Sequence, residues 1–195
     1  MSDLSREQKS LIKVTTYAVI AIFIVLCFVR NSQIKMDYIG VLWGNVGESV
    51  AGGAIFSVLY ERYLWKFNPF ESHPRLSSQY QGNVLSTYDH KTRRTKFEVS
   101  QTLTSTKVRF STDESKSDAV TAEIVEINDR PYLVYSYLNI PQAQFRKNSP
   151  MHYGTAFLEI TGKSKLEGDY FTDRKTAGHI VVTRGPESLT SPQNN

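Results

Sequence analysis

Residues 14–29, VTTYAVIAIFIVLCFV, hold no charged side chain, and residues 39–60, IGVLWGNVGESVAGGAIFSVLY, hold one, Glu48. Counted back to Leu11, the first run covers a ~30 Å hydrocarbon core at ~1.5 Å rise per residue, and so reads as a membrane-crossing helix. The second run is long enough to cross back. Its Glu48 lies near mid-length, where an acidic residue costs ~2.5–3.5 kcal/mol on insertion scales, so this reading requires a compensating partner for the carboxylate.

The second run also has a pattern. Gly40, Gly44, Glu48, Gly52 and Phe56 recur every four residues and form one helical ridge, flanked by the small residues Gly47, Ala51, Gly53 and Ala54. In lipid, small faces let helices approach closely, where van der Waals contact and interhelical hydrogen bonds drive association. Gly40, Gly44, Glu48 and Gly52 are therefore expected to form an assembly surface with a polar centre. The alternative is that this face packs only on its hairpin partner.

Working outward, Arg6, Lys9 and Lys13 precede the hairpin and Arg62, Lys66 and Arg75 follow it, whereas the turn between the helices holds only Arg30 and Lys35. This bias predicts that both termini are cytoplasmic, with Tyr38 on one side and Tyr60, Tyr63 and Trp65 on the other as interfacial anchors. The first run is too long for a signal peptide and lacks a small-residue cleavage site, so it is expected to be retained. The only cysteine, Cys27, lies inside it, which excludes an intrachain disulfide framework. A formal net charge of +4 suits anionic lipid or a phosphorylated ligand and is too mild for a DNA- or RNA-binding protein.

After the hairpin (1–66) and a proline-bounded linker (67–76), the texture changes. Short runs rich in Val, Ile, Thr, Tyr and Phe alternate with polar residues and are interrupted by turn signals. Strands are expected at 78–88, 95–103, 107–112, 119–127, 132–140, 155–161, 166–172 and 176–184. Hairpin-length connections make neighbours in sequence neighbours in the sheet, and closing eight antiparallel strands into a barrel (77–185) removes unpaired edges. Gly82, Gly168 and Gly178 within strands are expected to mark bulges or close approach of a ligand. Residues 141–152 form the longest loop, placed to cover one end, and the tail 186–195 has a disordered composition.

Catalytic constellations are absent from the pattern. His73, His90, His152 and His179 have no metal spacing, no cysteine nucleophile lies in the soluble part, and no glycine-rich phosphate loop precedes a helix. The expected protein is not an enzyme and carries neither metal nor cofactor. The acidic pair Asp113 and Glu114 and the basic run 91–96 (KTRRTK) read as solvated surface. In 132–139 (YLVYSYLN), Leu133, Tyr135, Tyr137 and Asn139 share one face, which serves either core packing or base stacking.

Residues 166–182, LEGDYFTDRKTAGHIVV, are more specific. Gly168, Tyr170, Thr172, Arg174, Thr176, Gly178 and Ile180 stand at the end of a small β domain behind two amino-terminal helices. This arrangement resembles the two-transmembrane, β-strand-rich effectors associated with cyclic-oligonucleotide synthases in CBASS antiphage systems. The resemblance implies a membrane-anchored, lipocalin-like eight-stranded barrel. Such a barrel binds a cyclic dinucleotide made by a cognate nucleotidyltransferase, assembles into homo-oligomers and disrupts the bacterial inner membrane, killing the infected cell. A cyclic dinucleotide requires a guanidinium, hydroxyl or amide donors and aromatic faces. Tyr170, Thr172, Arg174 and Thr176 supply those types, with Tyr137 and Asn139 near the end of a strand. A membrane-tethered lipocalin-like carrier or sensor of an apolar ligand, and a structural membrane protein whose barrel only binds partners, are the alternatives.

Overall fold

The computed structural model describes residues 4–31, 38–146 and 150–185. The expected turn charge Lys35 and the tail 186–195 lie outside these. The chain divides into two compact units, Met1–His73 with Thr102–Thr104, and Pro74–Gln101 with Ser105–Asn195.

The first unit is helical. α1 (Arg6–Asn31) begins at a capping box, in which the Ser5 amide donates to Gln8 Oε1 at 3.0 Å and the Gln8 amide donates to Ser5 Oγ at 3.2 Å. α2 (Tyr38–Arg62) is continuous over 25 residues. Among the described residues one helix, Arg6–Arg30, is long and apolar enough to cross a membrane, and α2 with Asn45 and Glu48 falls short of that standard. Glu48 is paired with Arg30, read from sequence as a turn charge. From the last turn of α1 its Nη2 donates to both Glu48 oxygens at 2.9 and 3.0 Å, and its Nη1 to Asn45 Oδ1 at 2.8 Å. Asn45, fully buried, donates in turn to Cys27 Sγ at 3.4 Å.

The small face of α2 meets α1 as well. A Cβ at Gly52 would lie 3.2 Å from Ile22, one at Gly53 would collide with Val19, and one at Gly44 would lie 3.8 Å from the Arg30 guanidinium, while Gly40 is exposed. Tyr60 and Trp65, expected as interfacial anchors, are instead buried with Leu103 in a small apolar cluster and Tyr63 is exposed, while the side chain of Tyr38, the fourth expected anchor, lies outside what is described.

The second unit is a closed antiparallel barrel in simple sequence order. Its strands are β1 (Gln79–Ser86), β2 (Thr92–Gln101), β3 (Thr106–Thr112), β4 (Ser115–Ile127), β5 (Arg130–Pro141), β6 (His152–Thr161), β7 (Lys165–Thr172) and β8 (Ala177–Arg184). β1 pairs with β8 from Tyr80–Arg184 to Ser86–Gly178, which closes the wall. The β4–β5 turn is Asn128–Asp129, both at positive φ (50° and 61°), the conformation that matches a two-residue hairpin to strand twist. Alternate residues point inward. Tyr80, Phe97, Leu133, Tyr135, Leu158, Leu166, Ile180 and Val182 form the core, with Phe97 stacked on Phe110 at 5.4 Å between centroids. Gly82 and Gly168 mark close approach of neighbouring backbone, because a Cβ on either would overlap the Val181 or Phe157 carbonyl oxygen.

An ion pair as exposed as Arg30–Glu48 contributes ~0–1 kcal/mol in water, whereas an uncompensated acid in a bilayer costs ~2.5–3.5 kcal/mol. In lipid nanodiscs, Arg30→Leu is therefore expected to speed amide exchange around Asn45 and Ser49 by roughly tenfold or more. Adding Glu48→Leu should return it to the wild-type rate. Unchanged exchange in the single variant would show that this pair does not hold α2.

Candidate functional site

In a closed antiparallel barrel, the ends of odd strands and the starts of even strands meet at one end. There they surround a cavity of about 470 Å³, inside the ~300–1,000 Å³ range of small-molecule sites. Its floor is aromatic. Phe110 meets Tyr137 edge to face at 4.9 Å, with Tyr135 beneath at 5.8 Å from Tyr137. Two glycines make room for these rings. A Cβ at Gly154 would fall on the Tyr137 ring, and one at Gly178 on the Tyr170 ring and the Leu85 carbonyl. Gly178 thus marks the approach of a side chain and a strand.

All six residues singled out for ligand contact line this cavity: Tyr137, Asn139, Tyr170, Thr172, Arg174 and Thr176. Thr172 and Thr176 face each other across the β7–β8 turn with hydroxyls 2.7 Å apart, and Lys175 between them takes φ 60°. Asn139 Oδ1 accepts from Ser117 Oγ at 3.1 Å, and its amide lies 3.3 Å from His152 Nε2. The His152 Nδ1 sits 3.0 Å from the Pro150 carbonyl oxygen. That carbonyl only accepts, so Nδ1 carries the proton and Nε2 receives the Asn139 amide.

Arg174 is an uncommitted charge at this cavity. Its guanidinium lies over the exposed Tyr88 ring at 5.7 Å, and its buried Nε has no hydrogen-bond partner. Among the described residues it pairs with no carboxylate. Arg93 is the opposite case. It donates to Asp89 through Nη1 at 3.1 Å and Nη2 at 2.6 Å, and to Glu114 through Nε at 2.9 Å. This corrects the reading of Arg93 and Glu114 as solvated surface, while Lys91, Thr92, Arg94 and Lys96 are exposed as expected: Thr92–Gln101 is strand β2, and Arg93, Asp89 and Glu114 form one cluster on the cavity wall. β4 likewise begins at Ser115, inside the segment expected to be a turn. Tyr88, Asp89, Arg93, Glu114, Phe145 and His152 are lining residues that sequence reasoning missed. The spacing of Asp89 and Arg93 across a turn was the one available signal.

Electrostatics follow from these contacts. The Arg93 guanidinium holds the Asp89 carboxyl down at about 2. Burial pushes the Tyr137 phenol well above its usual range, and Tyr170 and Asp173 add to the shift, so its hydroxyl remains a neutral donor. Burial lowers His152, and the nearby Arg174 charge lowers it further. The folded His152 value lies below the ordinary 6.5, so the unfolded chain takes up the proton first as pH falls. The stability contributed by neutral His152 is complete above 6.5 and is lost as pH falls through that value toward the folded one. Between about pH 7.5 and 5.5, the thermal midpoint of the wild-type barrel should drop further than that of His152→Gln. Parallel curves would show that His152 is not the group being titrated.

Residues 71–184 match the family described as Cap15, cyclic dinucleotide receptor domain. The chain is also 28% identical over 178 residues to CD-NTase-associated protein 15 of Staphylococcus schleiferi, covering 89% of this chain and 95% of that protein. The match takes in every strand of the barrel and all the residues lining its cavity, and it agrees with the resemblance carried by residues 166–182. This chain belongs to the Cap15 cyclic dinucleotide receptor family of CBASS-associated proteins.

Proposed function

We propose that this protein is an antiphage effector of the bacterial inner membrane. Its barrel binds a cyclic dinucleotide from a cognate nucleotidyltransferase, the chain self-associates, and the two amino-terminal helices then breach the bilayer and kill the infected cell. It acts as a receptor and not as a catalyst. The observation that carries this reading is Arg174: a guanidinium that pairs with no carboxylate among the described residues, beside the Thr172 and Thr176 hydroxyls, at an aromatic-floored cavity. An anionic phosphate satisfies it with charge-assisted hydrogen bonds. Tyr88, Tyr137 and Tyr170 offer π faces, and base–aromatic stacking contributes ~1–3 kcal/mol per base.

Support for the membrane step comes from α1, from the arginine that neutralises Glu48, and from the small-residue face of α2. Gly40, Gly44, Glu48 and Gly52 form an assembly surface in this reading, with α1 as the partner of Gly44, Glu48 and Gly52 in the isolated chain. Assembly gated by ligand requires only that ligand bind the assembled state better.

Calorimetry on the full-length chain in detergent, with a panel of cyclic dinucleotides of the four bases, tests the site. Arg174→Ala should weaken the best ligand by roughly ten- to hundredfold, the equivalent of ~1.5–3 kcal/mol for a charged hydrogen bond, with an unchanged melting midpoint. Unchanged affinity would remove Arg174 from the site. The topology has its own test. A reporter active only in the periplasm, fused after Asn195, should stay silent, and activity there would make a cytoplasmic messenger impossible as the ligand.

A further inference from the structure

The ladders of the barrel wall are of unequal length. β4 runs for 13 residues and pairs with β5 along nearly all of them. To β3 it pairs only at Arg109–Asp118, Phe110–Ser117 and Ser111–Lys116. Beyond Asp118 the register shifts at a bulge between Ala119 and Thr121. No ladder pair joins the two strands beyond Asp118, so among the described residues no strand pairs with 120–123 on the β3 side. A groove of about 670 Å³ opens there, floored by Val99, Val108, Ala119 and Ala122. Val120 on its lip is 66% exposed.

A free strand edge is a template for pairing with another chain, and proteins that do not use one usually cover or charge it. The charges here are arranged for pairing. Arg109 is committed to Asp118 at 2.6 Å and Glu98 at 3.9 Å. Lys107 on the β3 lip and Glu123 on the β4 lip are exposed, border the same groove and have no ion-pair partner among the described residues. A patch with an unsatisfied cation on one side and an unsatisfied anion on the other is complementary to itself after a half-turn, which is the condition for an isologous contact.

We propose that the β3–β4 seam is the surface on which a second copy of this chain docks, with the open β4 edges meeting and Lys107 paired to Glu123 of the partner subunit in both directions. This rests on the self-association in the function proposed above and names the surface responsible for it. Apolar contact comes from Val120 and the groove floor, and the reciprocal ion pairs set register and exclude the arrangement that opposes like charges.

The test is a charge-exchange cycle on the full-length chain in detergent, read by sedimentation velocity without ligand and with each of the cyclic dinucleotides above. Lys107→Glu and Glu123→Lys should each weaken association by roughly tenfold or more, and the combined K107E/E123K chain should recover most of the loss. Both residues are exposed, and an unchanged thermal midpoint shows that the barrel remains folded. Single variants that associate like the wild type, or a combined variant that does not recover, would overturn the seam as the interface while leaving self-association standing. A wild-type chain that is monomeric under every condition would overturn both.

Discussion

The ladder between β1 and β8 is the contact on which the rest of the barrel depends. These strands are nearly the whole domain apart in sequence, yet seven consecutive pairs, from Tyr80–Arg184 to Ser86–Gly178, join them. Closure satisfies their backbone groups and fixes an inside and an outside for every other strand. The inside is then divided by side-chain volume. Toward one end Leu133, Leu158, Leu166 and Val182 fill it completely. Toward the other, Gly154 and Gly178 let Tyr137 and Tyr170 lie back against the wall, and the space between them stays open. Packing and ligand cavity thus follow from one register, because a slip of one residue would turn each of these tyrosines outward.

The strands were legible because their apolar residues alternate with period two and their turns are short. All eight fall where that pattern places them, and their ends move by a few residues. The misplaced starts share a cause. Thr92 to Arg94 and Ser115 to Ser117 are polar, and in a strand that runs into an open cavity the inward positions need not be apolar. A hydrophobic pattern therefore stops short where a site begins. The same effect hid Arg93, Glu114 and His152. They come from different hairpins, and only closure brings them to one cavity. Trp65 was misread for another reason: an aromatic after a membrane-length helix has the composition of an interfacial anchor, and its burial with Leu103 depends on a residue far along the chain.

The two arginines of the cavity separate the competing readings of the barrel. Asp89 and Glu114 neutralise Arg93 and hold it in a fixed orientation, so it can shape a wall without demanding an anion. Arg174 has an aromatic ring beneath it and, among the described residues, no ion-pair partner. Desolvating such a cation under an apolar ligand would forfeit its hydration with nothing in return, a cost of several kcal/mol. A ligand that brings phosphate oxygens offsets that cost. The charge arrangement therefore disfavours an apolar cargo more strongly than any single residue favours a nucleotide.

The cavity and the seam also share structure. Phe110 lies on the cavity floor, and its pair with Ser117 is one of the three that keep β3 and β4 together. Thr112 and Ser115, at the next turn of the wall, line the same space. A ligand that packs against Phe110 and bonds to these hydroxyls bears on the short ladder whose end determines how far the seam opens. If a second chain docks on the seam as proposed, the coupling is reciprocal: whatever factor ligand adds to docking, docking adds to the affinity for ligand. β4 is held by three ladder pairs on the β3 side and by twelve on the β5 side, so the β3 side is the weaker restraint on the strand.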